Sequence, residues 1–172
     1  MIPKIILATA LALVSTDVQT SAPSLADKLR TELGCLAANL YFEARGEPLK
    51  GQLAVAKVTL NRVKSKQYPD SICAVVFQKH QFSWTKQQPW AKIQKALNGL
   101  EPSKNPLEVS AYQQALKTAK TSLKTDLNHV LPDDALWYHA TTVNPKWNKK
   151  MKKVKKVGKH VFYVASGTKR PP

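Results

Sequence analysis

Leucines fall at positions 25, 29, 33, 36 and 40, steps that lay one apolar stripe along a helix. Ser24 with Asp27 three residues on reads as its capping box, and Gly46 and Pro48 stop it. Leu53, Ala56, Leu60 and Val63 form a second stripe, predicting a helix from Gly51 to about Lys64. Tyr68-Pro69-Asp70 is a turn, and Ile72 to Gln78 is a short apolar piece, helix or strand. Residues 79–90 carry aromatics without periodicity, as a loop over a site would. Pro89 to Asn98 predicts a short helix ended by Gly99. Asn105-Pro106-Leu107-Glu108 starts another, continued by Val109, Tyr112, Leu116, Ala119 and Leu123.

After Asp134 the pattern changes. Leu136 to Val143 and Val154 to Ala165 are rich in β-branched and aromatic residues. Gly158-Lys159 fits a tight turn between Lys153–Val157 and His160–Ala165. The fold class is α+β: helices first, then a small C-terminal antiparallel sheet.

Residues 1–22 have a different organisation. Lys4 precedes an apolar run from Ile5 to Val14, and Thr20-Ser21-Ala22 offers a small-residue cleavage site. That layout predicts a signal peptide or signal anchor, hence export to the periplasm or the extracellular space. A catalytic-sized domain would then run over 24–165, with 166–172 as a tail. In an oxidising compartment Cys35 and Cys73 pair as a disulfide, closing a loop worth roughly 3–4 kcal/mol.

Charge narrows the partners. The 172 residues hold 27 Lys plus Arg against 11 Asp plus Glu, a net charge of +16. The excess gathers late: no acid follows Asp134, and lysines crowd from Lys146 to Lys159. Such a cluster favours polyanions. An exported chain meets little nucleic acid, and Trp147 is the one aromatic inside the cluster, so no interleaved stacking platform is evident. An anionic wall or envelope polymer is the expected partner, and no nucleic acid.

The sharpest chemical signal is Leu40-Tyr41-Phe42-Glu43-Ala44-Arg45-Gly46-Glu47-Pro48. Continuing the stripe of Leu36 and Leu40 brings Glu43 onto the apolar face, in the last helical turn. Burial and the negative helix end both favour its neutral form. A carboxylic acid kept protonated near neutral pH is what a glycosidase needs to protonate a leaving oxygen. By spacing alone, a solvated helix-end Glu paired with Arg45 or Lys50 fits as well.

The run CLAANLYFEARGEPLKGQLAVAKVTLNRV, Cys35 to Val63, resembles the SleB/CwlJ-type cell-wall hydrolases. The likeness continues through Tyr68–Gln78, Gln81–Trp84, Ala135–Ala140 and Val157–Val164; residues 91–130 match little. The resemblance implies a mainly helical lysozyme/transglycosylase-like domain acting on peptidoglycan glycan strands. It implies cleavage of the β-1,4 bond between N-acetylmuramic acid and N-acetylglucosamine, with Glu43 as general acid and then base. One carboxylate suffices if the muramic acid 6-hydroxyl attacks internally, which gives an anhydro product. A hydrolytic variant would need a second carboxylate or a placed water, and Glu47, Asp133 and Asp134 are the candidates.

Other residues attach to this reading. Arg62 is placed to pair with Glu43 or Glu47, or to contact substrate. Glu47 is a substrate-side candidate, or else caps the next helix or pairs with Arg45. Gln81, Ser83 and Trp84 supply polar groups and a flat ring suited to sugars, with Phe82 assigned to the core. Tyr138 and His139 point to opposite faces of a strand, and Tyr138 is the one expected at the cleft. His160 is expected to order the hairpin. His80, His129, His139 and His160 show no metal-ligand spacing, so no metal and no cofactor are expected. A zinc amidase and a non-catalytic cationic binding module are the competing classes. Nothing demands more than a monomer.

Overall fold

The computed structural model describes residues 25–86 and 106–167, with side chains from residue 31 onward. The leader, the cap at Ser24, the expected Pro89–Asn98 helix and most of the tail lie outside the described residues. Helix α1 is Leu25–Ala44, α2 Leu49–Lys64, α3 Ile72–Val76 and α4 Pro106–Ser122. Single 3-10 turns occur at Ser83–Lys86 and Lys146–Lys150. The strands are β1 Trp137–Ala140, β2 Met151–Val157 and β3 His160–Ala165.

Leu36 and Leu40 of the α1 stripe are fully buried. On α2 the expected stripe is not the buried face: Ala56 is buried, but Leu53, Leu60 and Val63 are only half-buried. Ala54, Val55, Val58, Thr59, Asn61 and Arg62 are buried too, because α1, α3, α4 and β2 all pack against this helix. A helix enclosed this way must satisfy its polar side chains internally. Asn39 donates to Thr59 Oγ1 at 3.1 Å, and Thr118 donates to Gln52 Oε1 at 2.9 Å. Lys57 is bound to Asn128 and Asp133. Asp133, a candidate second acid in sequence, is thereby held below the usual carboxylate range by its bond to Lys57.

Residues Ile72 to Val76 form a helix, capped by Ser71, whose hydroxyl accepts from the Ala74 N–H. The expected disulfide joins Cys35 of α1 to Cys73 of α3, tying the two together across 38 residues. On α4, Ala115, Thr118, Ala119 and Ser122 carry the buried face. Leu123, expected on that stripe, lies past the helix end and is 44% exposed.

The sheet has strand order β1-β3-β2 and is antiparallel throughout. Tyr138 lies opposite Phe162, and Trp137 opposite Tyr163. The alternation of side chains therefore puts Tyr138, His160 and Phe162 on the face toward the helices. Phe162 is fully buried there. His139 and Tyr163 stack on the far face, ring centroids 5.3 Å apart, with Trp147 edge-on. Gly158 takes φ +56 at the β2–β3 turn. Among the described residues, no helix is long and apolar enough to cross a membrane.

Candidate active site

The last turn of α1 carries Glu43 to the rim of a cavity of about 390 Å³. The opposite wall is the loop after α3: His80, Gln81, Phe82, Ser83 and Lys86 line the space with Glu43. His80 turns this loop at φ +68, a conformation uncommon for a residue with a Cβ. Behind it, Phe82 and Trp84 enter the core. Gln81 and Ser83 thus line the cavity.

Trp84 does not. It is 7% exposed and stacks on Phe42 at 4.5 Å, with Phe77 edge-on at 5.8 Å. Its ring anchors the loop instead of lying open beneath a sugar. His80 and Lys86 replace it at the cavity. Sequence marked the loop by its aromatics, but a segment without periodicity gives no signal of which residues turn inward.

Glu43 is partly buried, and this desolvation raises its pKa above the usual carboxylate value. Two weaker effects oppose the rise: a hydrogen bond from Tyr138 and the positive charge of Arg62. The Tyr138 hydroxyl donates to Glu43 Oε2 at 3.3 Å. Burial first, and then the Glu43 charge, push the Tyr138 phenol well above its ordinary value, so it remains a donor.

Arg62 makes no ion pair with Glu43 or Glu47. Its Nε donates to the Leu136 carbonyl at 2.9 Å, and its guanidinium lies over the rings of Tyr68 and Phe82. It braces the start of β1 and reaches Glu43 only through space. Arg45, the expected partner of Glu47, pairs instead with Glu108 at 2.8 Å. Glu47 is turned into the protein and is absent from the cavity wall. Its Oε2 accepts the backbone N–H of Lys159 at 3.0 Å. His160 sits beside it, its Nδ1 3.8 Å from Glu47 Oε1, with burial lowering the histidine pKa. Among the described residues, no group of three or more His, Cys, Asp or Glu is placed to hold a metal ion.

Two solved structures share this architecture. The catalytic domain of the germination-specific lytic transglycosylase SleB from Bacillus anthracis matches with TM-score 0.57 and 30% identity, covering 77% of this chain and 93% of that one. The SleB catalytic domain from Bacillus cereus matches with TM-score 0.51 and 29% identity, covering 78% and 90%. The class is that of cell-wall-lytic catalytic domains. A family model described as cell wall hydrolase matches residues 46–163, beginning just after Glu43, and the chain belongs to that family. Curated relatives include the spore cortex-lytic enzymes of Bacillus subtilis, 29% identical over 76% of this chain, and Bacillus cereus, 30% identical over 77%. The chain spans 37% and 44% of the length of those two relatives.

Proposed function

We infer that the protein cleaves the β-1,4 bond between N-acetylmuramic acid and N-acetylglucosamine in peptidoglycan, as a lytic transglycosylase with Glu43 as its single catalytic carboxylate. The observation that carries this reading is the composition of the cavity: among the described residues that line it Glu43 is the one acid, and burial favours its protonated form. Tyr138 occupies Oε2, which leaves Oε1 to carry the transferable proton. Glu43 gives that proton to the bridging oxygen as the glycosidic bond breaks. The resulting carboxylate then takes the proton of the muramic acid 6-hydroxyl as that oxygen closes on C1. Desolvation favours the first step, and the Tyr138 bond steadies the carboxylate between the two. Gln81 and Ser83 line the cavity and would hydrogen-bond the sugars, and Lys86 would face a substrate carboxylate.

Of the other acids considered, Asp133 is paired with Lys57, Glu47 is bound to the hairpin, and Asp134 does not line the cavity. This favours internal attack over a two-carboxylate hydrolase. The reading includes export to the cell envelope, action as a monomer, and docking of the lysine-rich sheet edge on anionic wall polymer rather than nucleic acid.

Mass analysis of fragments from digested, purified peptidoglycan tests the reaction. Anhydro-muramic ends are the expected outcome. Reducing muramic ends would identify a hydrolase, free stem peptides an amidase, and an undigested polymer a binding module; each would overturn the proposal.

A further inference from the structure

Glu47 lies on the tight connection between α1 and α2, flanked by exposed Gly46 and Pro48, yet it is buried. A carboxylate in such a place needs compensation. It finds it on residues far along the chain: the Lys159 N–H, 112 positions away, with His160 alongside. Two glycines make the fit possible. A Cβ on Gly158 would lie 1.7 Å from Glu47 Oε2, and one on Gly51 would lie 2.8 Å from the same atom. Glu47, Gly51 and Gly158 are therefore shaped around one another.

The contact matters because of what the hairpin tip holds. The Lys159 carbonyl accepts the N–H of Thr141 at 2.7 Å, immediately after β1. At the other end of β1, Arg62 binds the Leu136 carbonyl and Asn61 the Ala135 carbonyl, both at 2.9 Å. The strand is four residues long and lies at a sheet edge. It is thus held at one end by the Asn61 and Arg62 side chains of α2 and at the other by the Lys159 carbonyl, on the turn residue whose N–H Glu47 binds; midway it presents Tyr138 to Glu43.

We propose that Glu47 is a positioning residue: it locks the β2–β3 turn onto the α1–α2 corner and, through Lys159 and Thr141, fixes where β1 holds Tyr138 against Glu43. This rests on the reading of Glu43 as the acid. It assigns the second glutamate of the motif neither to substrate nor to catalysis. What the site requires of it is an oxygen acceptor of the right length, not a negative charge at the cleft. The groups that face Glu43 are Tyr138 from β1, Arg62 from α2, and His80 and Lys86 from the loop; Glu47 alters their arrangement only by moving β1.

The test compares Glu47→Gln, Glu47→Ala and Gly158→Ala, with Glu43→Gln as control, by pH profiles of kcat and kcat/KM on peptidoglycan. Glu47→Gln retains the acceptor and volume, so kcat should stay within about threefold and the pH profile should not move. Glu47→Ala frees the turn. It should lose on the order of 10²-fold in kcat, and its alkaline limb should move to lower pH, because water reaching Glu43 removes the largest cause of its raised pKa and outweighs the loss of the weaker Tyr138 bond. Gly158→Ala should match it, and the double variant should be little worse than either single one. Should Glu47→Ala not fold, Glu47→Asp, one methylene too short, carries the same expectation. An inactive but folded Glu47→Gln would make the charge itself essential and overturn the proposal. So would a Glu47→Ala enzyme with unchanged kcat and pH profile. An active Glu43→Gln would instead remove the underlying reading of the acid.

Discussion

The protonation of Glu43 is decided by competition among three effects: burial, the Tyr138 bond and the Arg62 charge. Desolvation favours the neutral acid and outweighs the Tyr138 bond and the Arg62 charge, which favour the carboxylate. A raised pKa keeps the acid loaded above the ordinary carboxylate range, so activity should fall on the alkaline side as Glu43 ionises. Tyr138→Phe removes a bond that stabilises the charged form, which raises the Glu43 pKa further. The alkaline limb of kcat/KM should therefore move to higher pH, while kcat drops about tenfold because the second step loses a stabilised carboxylate. A limb that moves to lower pH would show that Tyr138 acts on Glu43 in some other way. At this scale the helical spacing that puts Glu43 with Leu36 and Leu40 was readable, since it depends only on helix geometry. The burial of Trp84 and the bracing role of Arg62 were not, because both depend on elements distant in sequence.

Elements were legible where one pattern dominated. The α1 stripe, the α4 start at Pro106 and the hairpin turn at Gly158 are local signals, and the corresponding elements occur. Helix α2 was harder: surrounded by four other elements, it buries mainly residues outside the expected stripe and leaves Leu53, Leu60 and Val63 half-buried, and periodicity cannot anticipate that. Strand β2 is an edge strand carrying Lys152, Lys153, Lys155 and Lys156, with a register shift between Lys153 and Lys155. Lysines and a bulge on an edge oppose pairing with another sheet and leave charge for an anionic surface. Lys155 also spans back to the Val130 carbonyl, leaving its neighbours as the more exposed charges. Wall association should accordingly weaken about tenfold or more between about 0.05 and about 0.5 M salt, measured by pelleting with sacculi. Pelleting that ignores salt would contradict electrostatic docking.

Across the whole molecule, the helices hold the acid and the sheet holds its hydrogen-bond partner. The motif from Glu43 to Arg62 joins the two. Glu43 faces the cleft, Glu47 fastens the hairpin, and Asn61 and Arg62 fasten the approach to β1. The length of that motif was visible in sequence, but its division of labour was not. Glu47 and Lys159 meet only once the sheet closes over the corner. The most direct measurement is digestion of purified peptidoglycan by Glu43→Gln beside the wild type, with circular dichroism confirming equal folding. The variant should keep its fold and release no anhydro-muramic fragments. A folded Glu43→Gln protein that releases them at the wild-type rate would contradict it.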